Sequence, residues 1–161
     1  MSPSTSSRPD TGAGDQPHGD LRNMVGHLLR RAQQLHASLW AESVAGGITS
    51  PQYAVLRVLA EESDIPQGRV GELAALDRSS LAEMVNRLVE RDWVRRRRDP
   101  VDGRRSLLSL GPRGREILRE ATPGVEEVNR RLVANLGEQE RDELTALLVR
   151  LLESPWSLSF G

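Results

Sequence analysis

The 161-residue sequence contains no cysteine. That absence removes disulfides, thiolate catalysis, cysteine-ligated zinc and thiol redox sensing together. Aromatic side chains are scarce, 3 Trp, 1 Tyr and 1 Phe, so any core must be filled by aliphatic residues. With only 3 His, metal and triad chemistry has little to work with. No metal-ligand motif, phosphate-cradling glycine loop or nucleophile–base pairing is present, which argues against an enzyme and against a bound metal or cofactor. No run approaches the roughly 20 apolar residues of a membrane span, and the N-terminus lacks the basic-then-apolar order of a signal peptide. The expectation is a soluble, cytoplasmic chain of one domain with no membrane partner.

What is present is arginine, unevenly placed. All 22 basic residues are Arg, and the formal net charge is −1. That average argues against a nucleic-acid partner, but it hides a gradient. Pro66 to Arg115 carries 12 Arg against 7 acids, about +5, and the rest of the chain is correspondingly acidic. The densest cluster is Arg95-Arg96-Arg97-Arg98, followed by Arg104-Arg105.

Residues 1–19 are Ser, Pro, Gly, Thr and Asp with almost nothing apolar, the composition of a flexible tail. After Asp20, a capping residue, Leu21, Met24, Leu28, Ala32, Leu35 and Leu39 recur at helical spacing and predict a first helix ending near Gly46-Gly47. A second apolar stripe, Val25, Leu29, His36 and Trp40, makes this helix greasier than one core face requires. Thr49-Ser50-Pro51 predicts a capped second helix to about Glu62. Asp64-Ile65-Pro66 breaks the chain, and Arg69 to Leu76, with Val70, Leu73 and Ala74 apolar, suits a short third helix. Asp77 can cap a fourth, from Arg78 to about Arg91, that buries Leu81, Met84, Val85 and Leu88. Trp93 to Arg98 and Arg104 to Leu110 read as a β-hairpin across Asp99-Pro100-Val101-Asp102-Gly103. Pro112 opens a fifth helix to about Asn135, with a kink expected at Thr122-Pro123-Gly124. A leucine-rich last helix spans Glu138 to Glu153, and residues 154–161 form an unpatterned tail with Trp156, Leu158 and Phe160.

Two short helices followed by a basic hairpin make a winged helix-turn-helix, placed at residues 49–111, in a mainly α fold with a small β-hairpin wing. The helical segments 20–46 and 112–153 complete the domain. The fourth helix is the DNA reader. Its first turn, with Arg78, offers free N–H groups to a phosphate, and Ser79 and Ser80 add short donors or merely cap. Arg87 can span a guanine edge and Asn86 can pair with adenine. The hairpin adds Arg98, Asp102, Arg104 and Arg105, with an Arg for the narrow minor groove. In a strand, alternate members of Arg95–Arg98 face opposite ways, so all four cannot touch one duplex. Trp93 is assigned to wing packing.

Asp77-Arg78-Ser79-Ser80-Leu81 through Arg87-Leu88, then Arg91-Asp92-Trp93-Val94-Arg95, then Asp102-Gly103-Arg104-Arg105 leading to Leu110 and Gly114, resemble the MarR family of transcriptional regulators in order and spacing. The resemblance extends over roughly residues 21–153. It implies a homodimer, built by the first and last two helices, that binds a pseudo-palindromic operator in double-stranded DNA, most plausibly as a repressor. It further implies a wing in which Asp102 holds Arg104 for the minor groove, and a ligand pocket near the first, second and fifth helices. There are three departures. Glu83 stands where many relatives carry a basic or polar reader, and must accept from a cytosine amino group or pair with Arg87. Gly111 replaces the usual Thr, exchanging a side-chain cap for a permissive backbone at a cost of a few tenths of a kcal/mol. The missing cysteine excludes the thiol-oxidation branch.

His27 and His36, nine residues apart on one helix, cannot easily share an ion within one chain. His27, Arg30, Arg31, Trp40 and Tyr53 can instead line a pocket for a small aromatic or acidic effector, against the plainer reading of dimer packing and surface ion pairs. The rival function is a helical dimeric protein-interaction module without specific DNA binding, motivated by Glu83 and the neutral overall charge.

Overall fold

The computed structural model describes residues 20–153. After a single 3-10 turn at Leu21–Asn23 come α1 (Val25–Ser43), α2 (Ser50–Glu61), β1 (Ile65–Pro66), α3 (Gln67–Ala74) and α4 (Arg78–Glu90). β2 (Val94–Arg98), β3 (Ser106–Leu110), α5 (Pro112–Leu132) and α6 (Glu138–Leu152) complete the chain. The described chain divides into two compact units, one up to Gln34 and one from Leu35 onward.

The predicted starts hold where side chains can satisfy the free N–H groups of a first turn. Thr49 and Gln52 form a reciprocal capping box on α2 with Pro51 in the first turn. Asp77 accepts from the Ser80 N–H at 2.9 Å and caps α4. Asp20 accepts from the Arg22 N–H, but the turn it starts is 3-10, and extended Met24 separates it from α1. The first helix therefore begins later than the apolar spacing suggests, and it ends earlier, at Ser43, ahead of the left-handed pair Gly46-Gly47.

The hairpin has a third strand that the sequence reading took for a break. β1 pairs antiparallel with β3, and β3 also pairs with β2, giving the order β1-β3-β2. Two residues ending in Pro carry almost no strand pattern, so the pairing is decided by the neighbouring strand. In β2 and β3, Val94 faces Leu110 and Arg98 faces Ser106.

Leu56, Leu59, Val70, Leu81, Val85, Leu88, Val94 and Leu108 are fully or almost fully buried in one cluster. The predicted stripe of α4 is the buried one. In α3 it is shifted: Val70 and Gly71 are buried, whereas Leu73 is 41% exposed. Gly71 lets α3 lie close over Leu76 and Leu81. Trp93 is buried in this cluster, as its packing assignment requires, with the Arg91 guanidinium 5.4 Å from its ring centroid.

Three further expectations change. The predicted interruption at Thr122-Pro123-Gly124 is absent: α5 runs unbroken through Pro123. Ala121 and Val128 are buried on either side of the Pro, and Gly124 lies so close to the Ser43 carbonyl that a Cβ would collide with it. Packing thus outweighs the roughly 3 kcal/mol that an interior Pro costs a helix. Gly111 is no minor exchange of a cap either, because a Cβ there would strike the Asp92 carbonyl, and one at Gly114 the Trp93 carbonyl. Finally, in α1 only Leu39 is buried, while α6 buries no residue at all. The apolar positions of those helices are not core positions of this single chain.

Candidate nucleic-acid interface

Burial of Leu81, Met84, Val85 and Leu88 forces the other side of α4 outward. At 100° per residue that side centres on Ser79, Glu83, Asn86 and Glu90, with Arg78 and Arg87 on its two flanks, and all six are exposed. The Ser79 hydroxyl donates to Asp77 Oδ1 at 2.7 Å, so it belongs to the cap in the free chain. The Ser80 N–H is in the cap as well, and Ser80 is exposed. Both serines serve the Asp77 cap in the free chain, the plainer of the two roles the sequence left open. Hydrogen bonds from Ser80 first, and then Ser79, hold the Asp77 carboxyl well below the usual carboxylate range.

Asn86 is not free to turn. Arg96 on β2 donates from Nη1 to Asn86 Oδ1 at 2.8 Å, a contact that i, i+10 spacing across a strand boundary gave no means of anticipating. Alternation sorts the arginine run. Arg96 and Arg98 share the strand face of buried Val94, and Arg97 points the other way, where its Nε meets Asp64 Oδ1 at 2.9 Å.

At the wing tip two aspartates organise the backbone. Asp99 Oδ1 accepts from the Val101 N–H at 2.8 Å, which lowers the Asp99 pKa, and Asp102 Oδ1 accepts from the Arg104 N–H at 3.1 Å. The Asp102 ion pair runs to Arg105, Nε to Oδ2 at 3.1 Å, and not to the Arg104 side chain as the family resemblance implied. Asp102 holds the main chain of Arg104 and the side chain of Arg105. Among the described residues the Arg104 guanidinium has no hydrogen-bond or ion-pair partner, and the same is true of Arg78, Arg87 and Arg98.

Arg78 and Arg104 border an open depression of about 490 Å³. It is lined by Pro66, Gln67 and Gly68 at the start of α3, by Arg78 and Leu81 of α4, and by Arg104 and Arg105 of the wing, with one carboxylate, Glu72, that is paired with Arg69. The first turn of α3 has no side-chain cap, so its N–H groups add to the positive lining. Three arginines and an uncapped helix start around an open hollow suit a polyanion backbone, and the exposed face of α4 beside it suits base edges.

The residues proposed for an effector are described separately in the two units. Up to Gln34, Arg30 Nη2 donates to His27 Nδ1 at 3.1 Å, and Arg31 is exposed. From Leu35 onward, Trp40 and Tyr53 meet edge to face at 5.9 Å, with the His36 ring tilted at 39° to that of Trp40, 5.6 Å away. Trp40 Nε1 donates to the Ile48 carbonyl at 2.9 Å, and the Tyr53 hydroxyl lies 3.4 Å from Thr122 Oγ1. Thr122 was missed because 69 residues separate it from Tyr53 in the chain. No group of His, Asp and Glu that could hold a metal occurs among the described residues. None of their helices is long and apolar enough to cross a membrane.

A short helix pair with an exposed second helix, backed by a basic three-stranded wing, defines a winged-helix DNA-binding protein. Residues 46–105 match the model of the MarR family. The transcriptional regulator HosA of Escherichia coli O111:H- is 34% identical over 134 residues, covering 83% of this chain and 98% of that protein. The PcaV transcriptional regulator of Streptomyces coelicolor, in complex with its natural ligand, is 40% identical with a TM-score of 0.82, covering 86% of this chain and 98% of that one. BpsR of Bordetella bronchiseptica, whose DNA binding is regulated by 6-hydroxynicotinic acid, is 27% identical with a TM-score of 0.81, covering 86% and 99%. The chain belongs to the MarR family and is a DNA-binding transcriptional regulator. This decides against the interaction-module alternative, and the family is one of regulators, not enzymes.

Proposed function

We propose that the protein is a homodimeric repressor of a pseudo-palindromic operator, released by a small aromatic acid. The observation that carries the DNA half of this reading is the open hollow lined by Arg78, Arg104 and Arg105 beside the exposed face of α4 that holds Arg87. Arg78, Arg98 and Arg105 contact phosphates, Ser80 and Arg87 approach the major groove, and Arg104 enters the minor groove from a turn built by Asp102.

Dimerisation is supported by what the single chain leaves uncovered. On α6, Leu147 and Leu152 are 60% and 72% exposed, and Leu144, Leu148 and Leu151 are also open; on α1, Val25, Leu28 and Leu29 are exposed. A leucine-rich helix with no buried residue needs a partner to cover it.

For the effector, the half-buried Trp40–Tyr53 pair offers ring faces and edges, with the Tyr53 and Thr122 hydroxyls beside them. The regulation of BpsR by 6-hydroxynicotinic acid supports an aromatic acid as the ligand class. Release requires that the acid bind the DNA-incompetent state more tightly, since equal affinity for both states shifts nothing.

Selection from random duplex DNA at near-physiological salt tests the reading. The expected product is a two-fold symmetric motif, bound at a ratio of one dimer per site. Weak, salt-sensitive binding with no enriched motif would refute it.

A further inference from the structure

Glu83 and Asn86 lie three residues apart on the outward side of α4, where a helix docked in the major groove meets base edges. A carboxylate accepts hydrogen bonds and donates none. Among the described residues Glu83 has no ion pair and no hydrogen bond, so the Arg87 partnership open in the sequence is not made. Approaching phosphates without a compensating donor is unfavourable, and in the major groove the exposed donors are the cytosine N4 and adenine N6 amino groups. Adenine N6 sits beside the acceptor N7, which repels the second carboxylate oxygen, whereas cytosine N4 has no acceptor on its groove side. Glu83 therefore selects cytosine.

The Arg96 contact sets the polarity of Asn86. A guanidinium only donates, so the atom facing Arg96 Nη1 must be the amide oxygen, and the Asn86 NH2 group is the part left to meet DNA. Adenine recognition by Asn needs its oxygen to accept from N6 while its nitrogen donates to N7. The oxygen keeps a second lone pair, but it faces Arg96, and paired bonding to adenine needs both ends of the amide turned to the base. The outward NH2 group matches the O6 and N7 acceptors of guanine. The geometry favours guanine over the adenine pairing expected from the sequence.

We propose that each operator half-site carries a cytosine opposite Glu83 and a nearby guanine opposite Asn86, with Arg96 as the positioning residue that fixes Asn86. This rests on α4 being the major-groove reader.

The experiment is random-duplex selection with the full chain in three forms: unmodified, Glu83→Gln and Arg96→Met. Both substituted side chains are exposed, and retention of the remaining half-site positions reports that each variant still folds and docks. The unmodified protein should enrich cytosine and guanine at these positions. Glu83→Gln should convert the cytosine position to adenine, which Gln reads with paired bonds, and lower affinity for the original site by about 10- to 100-fold. Arg96→Met should leave the cytosine in place and let adenine appear at the guanine position. A motif retained by the unmodified protein but identical in Glu83→Gln would overturn the cytosine assignment, and one identical in Arg96→Met would overturn the role of Arg96, with DNA binding itself intact. Failure of the unmodified protein to enrich any motif would overturn the DNA-reader function and this inference with it.

Discussion

Replacing Arg104 by alanine isolates the wing from the rest of the interface, because its guanidinium makes no hydrogen bond or ion pair among the described residues while its backbone is held by Asp102. The turn should survive the change, leaving charge and minor-groove contact as the losses. If the three phosphate-contacting arginines, Arg78, Arg98 and Arg105, and the minor-groove Arg104 each neutralise one phosphate, a two-fold dimer neutralises about eight, and the slope of log K against log salt is about −7. Removing Arg104 from both protomers takes away two contacts and flattens the slope to about −5.5. Between 50 and 200 mM salt the unmodified protein should then lose about 10⁴ in affinity and the variant about 10³. At a fixed salt near physiological the variant should also bind more weakly, by roughly 1–3 kcal/mol. Fluorescence anisotropy of a labelled operator over a salt series measures both quantities, with Arg130→Ala on α5 as a control, since Arg130 is engaged with Glu127. An unchanged slope for Arg104→Ala would remove the wing from the mechanism, whatever the change in affinity.

Five other outcomes follow from the same geometry. Asp102→Ala deletes a negative charge next to DNA, yet should weaken operator binding because it releases the Arg105 side chain and the Arg104 turn; tighter binding in the same anisotropy assay would contradict the positioning role. Gly114→Ala forces a methyl group onto the Trp93 carbonyl and should destabilise by about 1–3 kcal/mol in a denaturant titration, whereas Ala75→Gly relieves a left-handed alanine in the turn before α4 and should stabilise by about 0.5–1 kcal/mol. The low pKa of Asp77 means that the ionised cap contributes fully above the ordinary carboxylate value, about pH 4, and loses its contribution as pH falls through the lower folded value; Asp77→Asn should flatten the melting temperature against pH on the acid side, and parallel acid slopes would count against the cap. Leu147→Asp on α6 should convert dimer to monomer in sedimentation equilibrium, and a dimer of unchanged strength would move the interface off that helix.

The elements with strong local signals were legible from residue types alone. Thr49 with Pro51, and Asp77 before Arg78, satisfy helix starts through side chains one to three residues away, so the information is local. The four-residue repeat of Leu81, Met84, Val85 and Leu88 identified the buried side of α4, and hence by subtraction the face that presents Glu83 and Asn86. The apolar positions of α1 and α6 were legible as helical, and the second stripe of α1 as more than one core face needs, but not how little of them the chain itself covers, because periodicity states that a face must be buried without stating against what.

By itself the sequence determined the helix order, the wing, the concentration of arginine between Pro66 and Arg115, and the reader helix, since each depends on capping, periodicity or charge within a few residues. Tertiary structure decided the contacts between residues distant in the chain. It brought β1 to β3, carried α5 unbroken through Pro123, and made Gly111 and Gly114 sites of close backbone approach. It also gave Asp102 to Arg105, Asp64 to Arg97 and Asn86 to Arg96. Twelve arginines in one stretch are interchangeable to a sequence pattern. Strand alternation and the placement of three acceptors make them different, leaving the Arg104 guanidinium without a partner among the described residues and tying Arg96 to Asn86.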